Sequence, residues 1–142
     1  MINYYSKVNP QKIILTMIKK EDVTKNRQNL TPDSEFLQVG AKRTFTGDFF
    51  RPHKHLPCDK KATITQEAWV ILNGKAKGVF YDIDDSYLCS IVLKDGDCVV
   101  IYNGGHSLEI LEDNTLLYEF KNGPYFGVEK DKVFLGDQDE QK

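Results

Sequence analysis

Apolar positions along this chain come in short runs that alternate with polar ones, and turn-forming residues break the runs at close intervals. Residues 13–18 are a first short apolar segment. Residues 21–32, rich in Asn, Lys, Arg and Thr, read as a connector with room for one helical turn. Phe36, Val39 and Ala41 then lead into a strand reaching Thr44 or Phe45. Residues 47–55 read as another extended segment, interrupted by Pro52, whose missing N–H confines it to a strand edge or a bulge. A loop with proline, cysteine and charges runs from Leu56 to about Lys61.

The second half is more regular. Residues 63–72 end at Asn73-Gly74, a strong signal for a two-residue hairpin turn, with 75–81 as the return strand. An acidic turn at 82–85 precedes a strand at 87–93, and Lys94-Asp95-Gly96-Asp97 precedes one at 98–102. Asn103-Gly104-Gly105, Glu112-Asp113-Asn114 and Asn122-Gly123-Pro124 bound strands at 107–111 and 115–120. No segment carries the repeat of a long helix, so the pattern predicts a sandwich or barrel. An antiparallel barrel with an open mouth suits a chain of 142 residues, because closure removes exposed edges and leaves an interior pocket.

Charge narrows the partners. Nineteen basic side chains against 21 acidic ones leave a net charge of -2, unlike the cationic footprint of a phosphate-binding protein. No apolar run approaches the ~20 residues that cross a bilayer, and the N-terminus lacks the layout of a secretory signal. The expectation is a cytoplasmic protein with neither nucleic acid nor membrane as partner. Cys58, Cys89 and Cys98 are odd in number and far apart, which predicts free thiols rather than a disulfide framework or thiolate metal cluster.

All three histidines fall where they can act together. His53 and His55 are two apart in an expected strand, whose period of two puts them on one face. If that face points inward, both imidazoles share a cavity with Glu67, from the next long strand, and His106, after two glycines. Three imidazoles and a carboxylate suit a divalent transition metal (zinc, iron, manganese or nickel) with positions left for water or substrate.

These residues also carry a family resemblance. Gly47-Asp48-Phe49-Phe50-Arg51-Pro52-His53-Lys54-His55, followed by Glu67 and Gly74, resembles the first conserved motif of the cupins. Gly96 to His106 resembles the second, with Tyr102 in place of the usual proline and the histidine one position early. The resemblance implies a double-stranded β-helix, or jelly-roll barrel, usually dimeric, with His53, His55, Glu67 and His106 on its metal-ligand positions. Glu35-Phe36-Leu37-Gln38-Val39, Gln66-Glu67-Ala68-Trp69-Val70, Gly78-Val79-Phe80-Tyr81-Asp82, Gly104-Gly105-His106 and Gly123-Pro124-Tyr125 resemble a group of small bacterial cupins. Many of these are encoded beside genes for surface-polysaccharide or sugar modification. The chain then divides into an N-terminal extension (1–34), a barrel domain (35–136) and a charged, fraying tail (137–142).

Other side chains fill out the expected site. Arg51 shares strand parity with the two histidines, and its fork of donors suits a carboxylate or phosphate. Gln38 is placed either to hydrogen-bond a ligand histidine or to pair with backbone. Trp69 shares parity with Glu67 and is a candidate cavity wall or a core residue. Tyr102 and Tyr118 are weak candidates for an acid or base beside the metal. The leading functional expectation is a metal-binding cupin acting on a small polar molecule, such as a sugar or sugar-derived carboxylate, with the metal as Lewis acid; a metal-dependent oxygenase and a non-catalytic sugar or small-ligand binding module of cupin fold are the alternatives.

Overall fold

The computed structural model describes residues 1–136, and the tail expected to fray at 137–142 lies outside them. Ten strands form three antiparallel sheets among the described residues. The largest has the order β1 (Ile2–Tyr5), β2 (Ile13–Ile18), β8 (Cys98–Ile101), β5 (Glu67–Asn73), β10 (Leu116–Lys121). A second joins β7 (Tyr87–Lys94), β6 (Lys75–Tyr81) and β9 (His106–Ile110), and a third is the short pair β3 (Gln28–Asn29) and β4 (Gly40–Ala41). A single-turn helix, α1, spans Val128–Asp131. No helix among the described residues is long and apolar enough to cross a membrane.

The two larger sheets pack face to face. Leu15 and Met17 of β2, Trp69 and Ile71 of β5, and Val99 and Ile101 of β8 meet Ala76 and Phe80 of β6 and Leu93 of β7 in one buried cluster. Alternate residues of the same central strands, Ile18, Ala68, Cys98 and Val100, bury the opposite face under Leu30, Leu37, Val39 and Ala41. Burial on both faces explains why β2 and β8 read as continuous apolar runs instead of alternating ones. The three cysteines are unpaired, and burial pushes the Cys89 and Cys98 thiols up to about 11.

The expected closed jelly-roll barrel with an N-terminal extension is not formed. The three sheets are open, and the chain before residue 35 supplies β1 and β2 to the main sheet. Residues 47–55 were expected to add a strand, yet 42–66 hold none, and every residue from Lys42 to Thr65 is exposed. Pro52 and Pro57 remove backbone donors there, and Phe45, Phe49, Phe50 and Leu56 stay in solvent, so nothing pins the segment to a sheet.

Asn73-Gly74 is a corner between sheets, not a hairpin. β5 pairs with β8 and β10, whereas β6 pairs with β7 and β9. Gly74 has φ +90°, its amide donates to Asp95 Oδ1 at 2.7 Å, and a Cβ there would lie 2.8 Å from Thr115 Cα. The dipeptide signals a positive-φ turn correctly; which sheet each flanking strand joins depends on distant partners.

Candidate functional site

A cleft of about 680 Å³ opens between the two packed sheets, within the range of small-molecule sites. Strand alternation puts Glu67 and Trp69 on the face of β5 turned toward it, and register sets Lys121 and Glu119 of β10 opposite them. His106 enters from the other sheet, where it pairs with Phe80.

Two glycines make that approach possible. Gly104 has φ +75°, and a Cβ on it would lie 2.2 Å from the Tyr81 carbonyl oxygen. At Gly105, the backbone exchanges hydrogen bonds with Tyr81, at 2.8 and 3.2 Å. This close passage starts β9 so that the His106 ring stands edge-on to Trp69, with centroids 5.2 Å apart.

Five polar groups then converge. The Trp69 indole N–H donates to Glu67 Oε1. His106 Nε2 lies 3.7 Å from the same oxygen, and Lys121 Nζ lies 3.5 Å from Oε2 and 2.9 Å from Glu119 Oε1. Burial raises the affinity of Glu67 for its proton, and the neighbouring Glu119 charge adds to this against the opposing effects of Trp69 and Lys121. Burial also works to raise Glu119, but its bonds to Lys121 and Glu67 outweigh this and hold it below its ordinary range. Burial lowers the pKa of His106, helped by the charge of Lys132. Burial thus shifts Glu67 toward its protonated form and His106 toward its neutral form, and Glu119 and Lys121 form an ion pair beside them.

The four expected metal ligands do not meet. Glu67 and His106 share the cleft, whereas His53 and His55 lie in the exposed 42–65 segment with their rings 5.6 Å apart. His53 Nδ1 contacts the Arg51 carbonyl at 2.9 Å. No group of three or more His, Cys, Asp or Glu side chains is arranged to hold a metal ion among the described residues. The donor set does not fit the expected zinc, iron, manganese or nickel, because the Lys121 ammonium already supplies the positive charge beside Glu67. The expected metal-dependent cupin, its oxygenase variant and a binding module inside a closed barrel are corrected with it: the described residues form neither the ligand cluster nor a closed barrel.

The other candidates disperse. Arg51 lines a separate surface depression with Lys42, Phe50 and His53. Gln38 braces its own loop, its Nε2 donating to the Pro32 and Glu35 carbonyls at 2.9 and 2.6 Å. Tyr102 is buried beneath the opposite face of the main sheet, its hydroxyl 3.1 Å from Thr16 Oγ1. Tyr118 is half exposed on β10. Glu119, Lys121 and Lys132 escaped the sequence reading; the only trace was a pair of charges at alternate positions, 119 and 121, in an otherwise apolar strand. No family model, curated protein or solved structure matches the chain.

Proposed function

We propose that the cleft between the sheets carries out proton transfer on a compact molecule bearing a carbonyl group, with Glu67 as acid and His106 as base. The reading rests on the contact between these two side chains, one pushed toward its protonated form and the other toward its neutral form. Groups whose environments drive them in opposite directions supply acid and base at one pH. Trp69 offers a flat wall for the substrate, and the Lys121 ammonium, paired with Glu119, steadies the Glu67 carboxylate while its proton is on the substrate.

In the step that follows from this geometry, His106 takes a proton from the carbon next to the carbonyl while Glu67 gives its proton to the carbonyl oxygen. The product is a neutral enol, and reversal at the same carbon completes an exchange. With an α-hydroxycarbonyl the product is an enediol, and protonation of the former carbonyl carbon by His106 while the other hydroxyl returns a proton to Glu67 completes an isomerisation. No net oxidation occurs, and every proton that leaves one group is accounted for on the other.

Incubation in D2O with a panel of small hydroxycarbonyl compounds, followed by proton NMR, tests this. Exchange beside the carbonyl is expected, and Glu67→Gln and His106→Gln should each slow it by ~10²–10⁴-fold. Equal rates in wild type and both variants would overturn the reading, as would the absence of exchange across the panel together with an unmoved Trp69 indole signal.

A further inference from the structure

The exposed segment 42–65 gathers charge that the balance of the whole chain hides. It holds six basic and two acidic side chains, a charge of +4, which leaves 13 basic against 19 acidic, or -6, on the rest. Part of this charge is focused on one place. Arg27, Lys42, Arg51 and His53 line a surface depression of about 560 Å³ together with the rings of Phe49 and Phe50. No carboxylate lines it, and none of Arg27, Lys42 and Arg51 forms an ion pair among the described residues. Asp48, in the same loop, spends its carboxylate on the Phe45 amide at 2.9 Å and the Asn26 side-chain amide at 3.4 Å.

The fold forces these cations together. β3 and β4 pair Gln28 with Ala41, so the next position in that register sets Arg27 opposite Lys42. The Arg43 amide donates to the Lys25 carbonyl at 2.9 Å, which keeps the two segments adjacent beyond the strands. Like charges directly opposite each other destabilise an antiparallel pair. Lys42 answers part of this by resting its Nζ 3.7 Å from the Phe50 ring centroid. The turn at 45–48 then returns the chain, so that Arg51 reaches the same depression. Beside them the Phe49 ring is 77% exposed. Converging cations without a counter-charge, next to an uncovered aromatic ring, complement an anion joined to a flat apolar body.

We propose that this depression binds a phosphate monoester carrying a planar ring, of the nucleoside monophosphate class, with the phosphate held by Arg27, Lys42 and Arg51 and the ring stacked on Phe49. A phosphate monoester brings nearly two negative charges and three strong acceptor oxygens at neutral pH, and guanidinium forks bind such oxygens in pairs. Size and charge select a compact ligand over a polymer or a bilayer. The volume lies in the range of small-molecule sites. The charge of -6 on the rest of the chain repels an extended polyanion or an anionic lipid surface, whereas a compact ligand meets only the basic depression. The depression shares no lining residue with the cleft, so this inference is independent of the proton-transfer reading.

Isothermal titration calorimetry of the full chain with adenosine 5′-monophosphate, inorganic phosphate and adenosine tests it. The monophosphate is expected to bind most tightly of the three, with an affinity that falls as sodium chloride is added. Arg27→Met and Arg51→Met should each weaken it by ~10-fold or more, the loss of charge-assisted hydrogen bonds. Phe49→Ala should weaken the monophosphate by a similar ~10-fold and leave inorganic phosphate within about twofold, since only the ring stacks there. All three side chains are exposed, and thermal unfolding checks that each variant is folded. No binding of the monophosphate at millimolar concentration overturns the proposal, as does binding indifferent to either arginine variant or to Phe49→Ala. Tighter binding of an oligothymidine or of phosphatidylglycerol vesicles than of the monophosphate, weakened by the same substitutions, overturns it as well by assigning the surface to a macromolecular or lipid partner.

Discussion

The indole N–H of Trp69 donates to the carboxyl of Glu67, two residues earlier on the same face of β5. Trp69 is the only tryptophan in the chain, so its signals report the protonation of a group at the centre of the cleft. A carboxylate accepts this bond more strongly than a carboxylic acid does. Burial raises the Glu67 pKa, so the change in Trp69 fluorescence and indole proton shift should have its midpoint above 4.5. Glu67→Gln should abolish that transition. The sign also bears on stability. A raised folded pKa contributes stability below the unfolded pKa, and this is lost as pH rises through the folded pKa. Thermal unfolding at pH 8 should therefore find Glu67→Gln at least as stable as wild type.

His106 should titrate below 6.5 when followed by NMR, because burial and the Lys132 charge both disfavour its cationic form. Lys132→Met should move that midpoint upward while leaving the burial contribution in place. An unchanged midpoint in the variant would show that the Lys132 charge has no part in it.

Asp82 anchors the N-terminal segment to the turn between β6 and β7. Its carboxylate accepts the Lys7 amide at 2.6 Å and the Ile83 amide at 2.8 Å. Burial acts to raise its pKa, but hydrogen bonds from Ser6, Ile83, Lys7 and Val8 outweigh that and lower it. Asp82→Asn should cost about 1.5–3 kcal/mol near neutral pH by chemical denaturation. The stability that this carboxylate contributes is present above its unfolded pKa and is lost as pH falls through the folded value, so the difference between the two proteins should shrink in acid.

Gly104→Ala should be strongly destabilising, by about 2 kcal/mol or more, since it adds both a positive-φ penalty and a collision with the Tyr81 carbonyl. The same change should shift the Trp69 indole signal, because displacing the start of β9 moves His106 from the Trp69 edge. A destabilised variant with an unmoved indole signal would show that His106 keeps its place without the glycine.

Local signals made much of the fold legible. The turns at 82–85, 94–97 and 103–105 and the strands between them follow from alternation and turn chemistry over a few residues. Asn73-Gly74 shows where such signals stop: a positive-φ corner looks the same whether the chain doubles back in one sheet or crosses to another. His53-Lys54-His55 shows the same limit for chemistry, because alternation places two rings on one face only if the segment is a strand, and here it is not.

The sequence by itself determined an all-β chain, its unpaired cysteines and two of the side chains that meet in the cleft, Glu67 and His106. Those depend on composition and short-range pattern. Only the tertiary structure decided that the sheets stay open, that His53 and His55 stand apart, and that Glu119 and Lys121 complete the site. β10 reaches Glu67 across some fifty residues of intervening chain, and pairing at that distance is selected by burial and register among all the strands at once.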